Sequence, residues 1–500
     1  MAERVGENRI TSQRWPPSQR RRNSGAFIMP ISCNDQTATL DPNRTCFPVA
    51  NPLTSFWQTD KHPLSDHRST FDLPAQSDIV IIGAGYAGVS TAHHLLQELG
   101  DAAPSITILE ARGICSGATG RNGGHLRPDL YGHIPTYIER AGPRAGAEIA
   151  EFEIANLRAL KRFIEEEEID CDFTLARSID VWCNEDAAKK AKATYDVMKA
   201  HQFEYMDDVV FYTRDQAEAI CGIKGAVCCA SYTAGTIWPF KFVMHLVQKL
   251  LESRLINLQT HTPVHSVQPG EAGGYLVSTP RGQISTQKVI YANNAYVSGI
   301  LPEYEKNIIP CKGICSRITV PDGVMPPLLN NSYINRTDDN TLSYLVPRTD
   351  GSIIVGGAAT KFKPFKDQWY NNVDDSTLID SAREYYHGYM QRTYRGWEGT
   401  EAKVDTIWTG VMGYSYDSNP HIGEVPSKQD QFIIAGFNGH GMPVIWLAAK
   451  ELARMISQDI SFEATSMPRL FKTSAQRIHR ARSGHEDDGD IIGSGKLSKP

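Results

Sequence analysis

Residues 77–110, SDIVIIGAGYAGVSTAHHLLQELGDAAPSITILE, constrain the fold of this chain more than any other stretch. The apolar run Ile79-Val80-Ile81-Ile82 leads directly into Gly83-x-Gly85-x-x-Gly88, a helix-forming segment follows, and a second apolar run, Ile106 to Leu109, ends on Glu110. That order is strand, glycine turn, helix, strand and acid, as a dinucleotide-binding βαβ unit requires. Gly83 permits the tight turn, Gly85 lets backbone approach a pyrophosphate, and Gly88 lets helix and strand pack closely. The helix N-terminus offers N–H groups to the phosphates, and Glu110, 22 residues beyond Gly88, can accept ribose hydroxyls.

The βαβ unit alone leaves NAD and FAD both open. After Glu110 the chain runs ARGICSGATGRNGGH (111–125), a loop with glycine at 113, 117, 120, 123 and 124, where an NAD site usually continues into another helix and strand. Such a loop can follow a long extended cofactor, with its N–H groups and Arg121 facing pyrophosphate or ring carbonyls. The segment resembles the D-amino-acid-oxidase superfamily of FAD enzymes, the group of glycine oxidase, sarcosine oxidase and γ-glutamylputrescine oxidase, and within it a fungal branch.

Further patches carry the resemblance from about Phe56 to Ser457. Ala234 to Pro239 is similar to the family's entry into a helix behind the flavin domain, and Thr262-Pro263-Val264 to a strand holding the adenine end. Residues 289–296, VIYANNAY, look like a returning strand and small-residue turn, and YLVPR (344–348) with IIVGG (353–357) like a pair of substrate-domain strands. WTGVMGY (408–414) and GFNGHGMP (436–443) follow, the latter read as opening the last helix. The resemblance assigns FAD contacts to Gly83, Ala84, Gly85, Tyr86, Ala87, Gly88, Glu110, Ala111 and Arg112, and to Ser116, Gly117, Arg121, Asn122, Gly123 and Gly124. It adds Val264, Ala292, Asn293, Gly413, Asn438, Gly439, Gly441 and Met442.

It also implies the architecture, an α/β fold: a discontinuous FAD-binding Rossmann-type domain plus an α+β substrate domain built on a mixed sheet. The expected spans are a disordered leader at 1–55, FAD domain at 56–130, 222–305 and 400–458, substrate domain at 131–221 and 306–399, and a C-terminal extension and disordered tail at 459–500. Within the substrate domain, helices are read at 147–169, 185–201 and near 375–391, with a strand at 178–182.

Five hundred residues at 41% hydrophobic content suffice for a core divided over two domains. A net charge of −6 gives no footprint for nucleic acid or an anionic membrane, and no apolar run reaches the roughly 18 residues of a membrane span. Ten cysteines without paired metal-site spacing read as free thiols in a reducing compartment; no metal site is expected. The first 30 residues carry six arginines against two acids, broken by Pro16-Pro17: a disordered leader, a start at Met29, or more weakly a mitochondrial presequence. Cytoplasm is the default location. The sequons at Asn43, Asn330 and Asn335 carry no weight without a signal peptide.

The chemistry implied by the resemblance is oxidation of a C–N bond in an amine or amino-acid-like small molecule, with hydride passing to flavin N5 and electrons to O₂ or another acceptor. A place in fungal secondary metabolism is one expectation. Oxidation of a C–O or C–C bond and a flavin-binding protein without turnover are the alternatives. The candidate catalytic residues are His125, Tyr344, Arg348 and His440. Each has a second reading: a hydrogen-bonded structural histidine for His125, ordinary core for Tyr344, and a salt bridge within the substrate domain for Arg348. His440 stands beside the helix entry that would face the flavin N1–C2=O edge. Lys312 occupies a position where relatives commonly have arginine. In sarcosine-oxidase-like members a cysteine before the final glycine–histidine segment binds the flavin covalently. WTGVMGYSYDSNP (408–420) contains none, so non-covalent FAD is expected.

Overall fold

Alternation along the first strand divides the core. The computed structural model describes residues 46–100 and 104–484. Ile79 and Ile81 point to one face of a six-stranded sheet, and Val80 and Ile82 to the other. Both faces are covered, which is why this strand and Ile106–Leu109 read as continuous apolar runs. The strand order is His421–Glu424, Gln431–Ala435, Lys288–Tyr291, Ile79–Ile82, Ile106–Leu109 and Ile256–Gln259, parallel except for the edge strand His421–Glu424. One face packs on the helices Tyr86–Leu99, Pro239–Glu252 and Ile445–Gln458; the other contributes to a core shared with a three-stranded antiparallel sheet spanning 266–286.

A second, mixed sheet of nine strands runs in the order Lys403–Ser415, Ile308–Thr319, Ile353–Gly357, Leu342–Pro347, Ser332–Arg336, Thr174–Trp182, Cys228–Thr236 and His125–Leu126, with Val210–Tyr212 also paired to Cys228–Thr236. Strands 228–236 and 403–415 thus pair in this sheet, although their spans were read as FAD domain. The described residues belong to one compact unit. Among them, no helix is long and apolar enough to cross a membrane.

Capping and breaking residues set the element bounds. The helix expected at 147–169 is Pro143–Glu166, begun early because proline fits a first turn. The helix expected near 375–391 is three short pieces, Asp380–Arg383, Glu384–Tyr386 and Tyr389–Thr393, interrupted at Gly388 with φ +64°. Thr262-Pro263-Val264 is a connection rather than a strand, since Pro263 has no N–H for a ladder. The helix after Gly441 begins only at Ile445, and Ala475–Ser483 follows it. Residues 46–55, placed in a disordered leader by sequence, are instead packed: the carbonyls of Val49 and Leu53 accept from Arg112 and Arg121, and Ser55 donates to the Gly120 carbonyl. The readings for 1–45 (the arginine-rich leader, Met29 and the Asn43 sequon) and for the tail at 485–500 lie outside the described residues.

The helix of the βαβ unit carries a pH liability. His93 and His94 are buried against Trp446, at ring separations of 5.4 and 4.3 Å, and the Nε2 atom of each is buried without a protein partner. Burial, with nearby positive groups, lowers their pKa values to about 4 and about 3, from an ordinary 6.5. Below pH 6.5 the unfolded chain therefore binds more protons than the folded one, and stability falls as the pH drops toward 4. Each histidine contributes a slope of up to about 1.4 kcal/mol per pH unit. The Tm of wild type should drop more between pH 7 and pH 5 than that of His93→Leu/His94→Leu. Equal drops would show that these rings do not cause the acid sensitivity.

Candidate active site

The carboxyl ends of the parallel strands Ile79–Ile82, Ile106–Leu109 and Lys288–Tyr291 open into a cavity of about 640 Å³. Ligands of open α/β sheets lie in that position, and the volume is in the range of sites that enclose large ligands. Glu110 lines the cavity, its carboxylate fixed by backbone: Oε2 accepts the N–H of Ala84 at 2.8 Å and Oε1 that of Arg112 at 2.9 Å. Four lone-pair sites on a carboxylate leave room for two further donors. Gly83 adopts φ +110°, and a Cβ there would press on the Ala292 carbonyl. A Cβ on Gly88 would overlap the Gly83 carbonyl oxygen, so Gly88 acts by closing helix onto strand and does not reach the cavity. The Tyr86 N–H at the helix start is taken by Thr119 Oγ1 at 3.0 Å, which ties the following loop to the βαβ unit.

Loop 111–125 divides its work between cofactor and scaffold. Ala111, Gly117, Asn122 and Gly123 line the cavity, and a Cβ on Gly117 would meet no protein atom within 4 Å. Gly123 also makes room for the ring of Tyr344. Arg112 and Arg121, expected to face the cofactor's anionic groups, also line the cavity, while their guanidinium groups hold the protein around it. The Arg112 guanidinium grips Asp375 through Nη1 at 2.9 Å and Nη2 at 3.1 Å, and also donates to Val49 and Ser116. Arg121 donates to the carbonyls of Ser116 (2.7 Å), Thr409 (2.9 Å) and Leu53 (2.6 Å), with Nε 3.4 Å from Asp375. They brace the loop because buried carbonyls and a buried carboxylate consume their donors. Asp375 was not found by sequence reasoning; it stands in an acidic loop with no motif around it.

Other assignments are corrected by position. Ala84, Ser116, Gly124, Gly413 and Asn438 do not reach the cavity. Gly413 packs against Asn294, and Asn438 holds the turn by accepting from Ser415 N at 2.7 Å and donating to the Gly436 carbonyl at 2.8 Å. Arg348, a candidate substrate clamp, is also outside the cavity, paired with Asp172 and flanked by Trp57 and Trp238 at 4.9 and 5.0 Å. That site satisfies its charge inside the scaffold.

Gly83, Gly85, Tyr86, Ala87, Val264, Ala292 and Asn293 do line the cavity, as do Gly439, Gly441 and Met442. So do His125, Tyr344 and His440. His125 Nε2 lies 2.6 Å from Ser332 Oγ, and burial together with Arg127 holds its pKa well below the ordinary value, so the ring is neutral. Tyr344 OH is 2.9 Å from Cys315 Sγ. Lys312 also faces the cavity, with Nζ 2.9 Å from Thr377 Oγ1, and burial lowers its pKa.

Two buried polar atoms on the wall, Asn293 Oδ1 and Tyr296 OH, have no protein partner. With the fixed Glu110 carboxylate and the open face of Gly117, they fit a long ligand with polar groups distributed along it. The sequence model of the FAD dependent oxidoreductase (DAO) family matches residues 78–455. The chain belongs to that family.

This FAD-dependent oxidoreductase is 22% identical to gamma-glutamylputrescine oxidoreductase of Escherichia coli (strain K12) over 388 residues, which is 76% of this chain and 84% of that protein. The fold is shared with solved structures. Glycine oxidase from Geobacillus kaustophilus superposes with TM-score 0.63 at 17% identity, over 80% of this chain and 99% of the other. L-proline dehydrogenase from P. horikoshii gives 0.61 at 22%, over 79% and 98%. The residues fit FAD: Gly83, Gly85, Ala87 and Glu110 would hold its nucleotide half, and Gly117, Asn293 and the 439–442 turn other parts of the same cavity.

Proposed function

We propose that this flavoenzyme oxidises the C–N bond of an amine or amino-acid-like small molecule, with FAD bound non-covalently. When bound, FAD supplies the hydride acceptor and passes the electrons on to a second substrate. The observation that carries the amine reading is the rest of the cavity wall. Ile334, Leu342, Tyr344, Phe362, Trp369 and Met412 form an apolar and aromatic stretch, with neutral His125 and the cationic side chains of Arg127, Lys312, Arg336 and Lys363 on the same wall. Such surroundings disfavour an ammonium and favour the uncharged amine, the form with the lone pair needed to release a hydride. The relatives' names point the same way: glycine, proline and γ-glutamylputrescine each offer an amine nitrogen.

The test is anaerobic mixing of the yellow holoenzyme with amines and amino acids, alongside 2-hydroxy acids and polyols of similar size. Amines should bleach the flavin's visible absorbance. Bleaching by alcohols alone would transfer the reading to C–O oxidation.

Non-covalent binding is supported by the chemistry of the cavity's three thiols. Burial raises the pKa of Cys311 and Cys315 to about 12 and pushes that of Cys115 well above the ordinary value. The thiolate is the nucleophile, so these groups are poorly suited to attack a flavin ring. Acid precipitation should give a yellow supernatant and a colourless pellet. Colour kept in the pellet, with a flavin peptide containing one of these cysteines, would overturn the proposal.

A further inference from the structure

The cavity wall is backed by a buried acid with no place in the nucleotide-binding fingerprint. Glu153 lies on the inner face of helix Pro143–Glu166, only 2% exposed, with Ile149, Ala150 and Leu157 in the surrounding core. A carboxylate there is costly unless donors meet it. Two do so, both at Oε2: the N–H of Asp129 at 2.6 Å and Nε2 of His440 at 2.8 Å. Burial still leaves the Glu153 carboxyl above its ordinary range. Asp129 is itself fixed by the N–H groups of Tyr131, Gly132 and His133, so the carboxylate of Glu153 is tied to a rigid turn.

His440 is thereby held at one nitrogen only. Its side chain is 36% exposed and lines the cavity, while Nε2 is committed to Glu153. The two hydrogen bonds at Oε2 and the adjacent His440 favour the ionised form of Glu153 against its burial; that carboxylate accepts, which makes Nε2 the N–H and leaves the lone pair on Nδ1. The charged and titratable groups that interact with His440 are Glu153 from its helix, Asp129 from the segment after strand His125–Leu126, and His125 itself; Arg127 acts in turn on Asp129 and His125. His125 is the weaker proton acceptor, since burial and Arg127 disfavour its protonated form, and its Nε2 is taken up by Ser332.

We propose that Glu153 is a positioning residue, which fixes His440 as the Nε2–H tautomer so that Nδ1 serves as the proton acceptor for the substrate's ammonium group. The proposal rests on the amine reading above. The step is R–NH₃⁺ plus neutral imidazole giving R–NH₂ plus imidazolium. The N–H bond of the ammonium breaks, an Nδ1–H bond forms, and no electrons leave the amine. The imidazolium charge is then offset by the Glu153 carboxylate through the hydrogen bond already present, as in other carboxylate-oriented histidines.

The test uses holoenzyme with ¹³C,¹⁵N-labelled histidine and the variants His440→Asn and Glu153→Gln. The glutamine oxygen can still accept both N–H groups, so it preserves shape and removes charge. In the absence of amine, the wild-type imidazole resonance that disappears in His440→Asn should show the neutral Nε2–H pattern, and it should shift in Glu153→Gln; a doubly protonated ring at rest would overturn the proposal, since Nδ1 would then have no lone pair to accept with. With a bleaching amine, His440→Asn should slow flavin reduction on the order of 10²-fold. Glu153→Gln should slow it about 10-fold, the scale on which residues orienting a histidine act. A neutral Nδ1–H pattern in wild type would overturn the proposal, and so would a Glu153→Gln protein with unchanged resonance and rate. The wild-type resonance decides even if Glu153→Gln does not fold. Should no amine bleach the flavin, the amine reading fails by itself, while the resonance still decides whether Glu153 fixes the ring.

Discussion

Asp375→Ala is expected to destabilise the protein by about 3–5 kcal/mol, the cost of leaving a buried charge without its partner. Asp375 is fully buried; it is gripped by Arg112 through both terminal nitrogens and lies 3.4 Å from Nε of Arg121. Both guanidinium groups are themselves buried, and their remaining partners are mostly neutral carbonyls, which supply hydrogen bonds but no counter-charge. The carbonyl of Asp375 also accepts the N–H of Leu53, so the loop it belongs to holds residues 46–55 against loop 111–125. Asp375→Asn keeps the shape and part of the hydrogen bonding, and should cost less than alanine. Urea unfolding of apoprotein and holoprotein measures both. An alanine variant with an unchanged midpoint would mean that the two arginines do not depend on Asp375.

Glu110→Ala should weaken FAD binding by about 3–6 kcal/mol, from the loss of two charge-assisted hydrogen bonds worth about 1.5–3 kcal/mol each. At 1.4 kcal/mol per decade, that is on the order of 10²- to 10⁴-fold in Kd. The same carboxylate accepts the N–H groups of Ala84 and Arg112, so its removal also releases the glycine turn and the start of the loop. Titration of apoprotein with FAD, followed by quenching of flavin fluorescence, gives the affinity. Equal affinity in wild type and variant would remove Glu110 from the cofactor site.

These two residues differ in how far the sequence could reveal them. Glu110 was legible because each requirement of a βαβ unit is local. A short β-branched run, a turn needing positive φ at Gly83, a helix needing close approach at Gly88 and an acid at the end of the next strand all lie within 34 residues. Asp375 is 263 positions from Arg112, in a loop whose composition resembles any solvated acidic turn. Glu153 lies in a helix that reads as amphipathic and meets His440 across 287 positions. No periodicity or spacing encodes such pairs.

Arg348 shows the same limit from the other side. Its position in a recognisable strand pair made it a plausible substrate clamp, yet Asp172, 176 positions away, and the faces of Trp57 and Trp238 hold its charge in the scaffold. The sequence by itself determined the nucleotide-binding unit, the class of cofactor and most of the cavity's glycine-lined wall, since backbone sterics act over a few residues. Only the tertiary structure decided which charged side chains face the cavity and which brace it, because a buried charge is placed by whichever partner folding brings within hydrogen-bond reach.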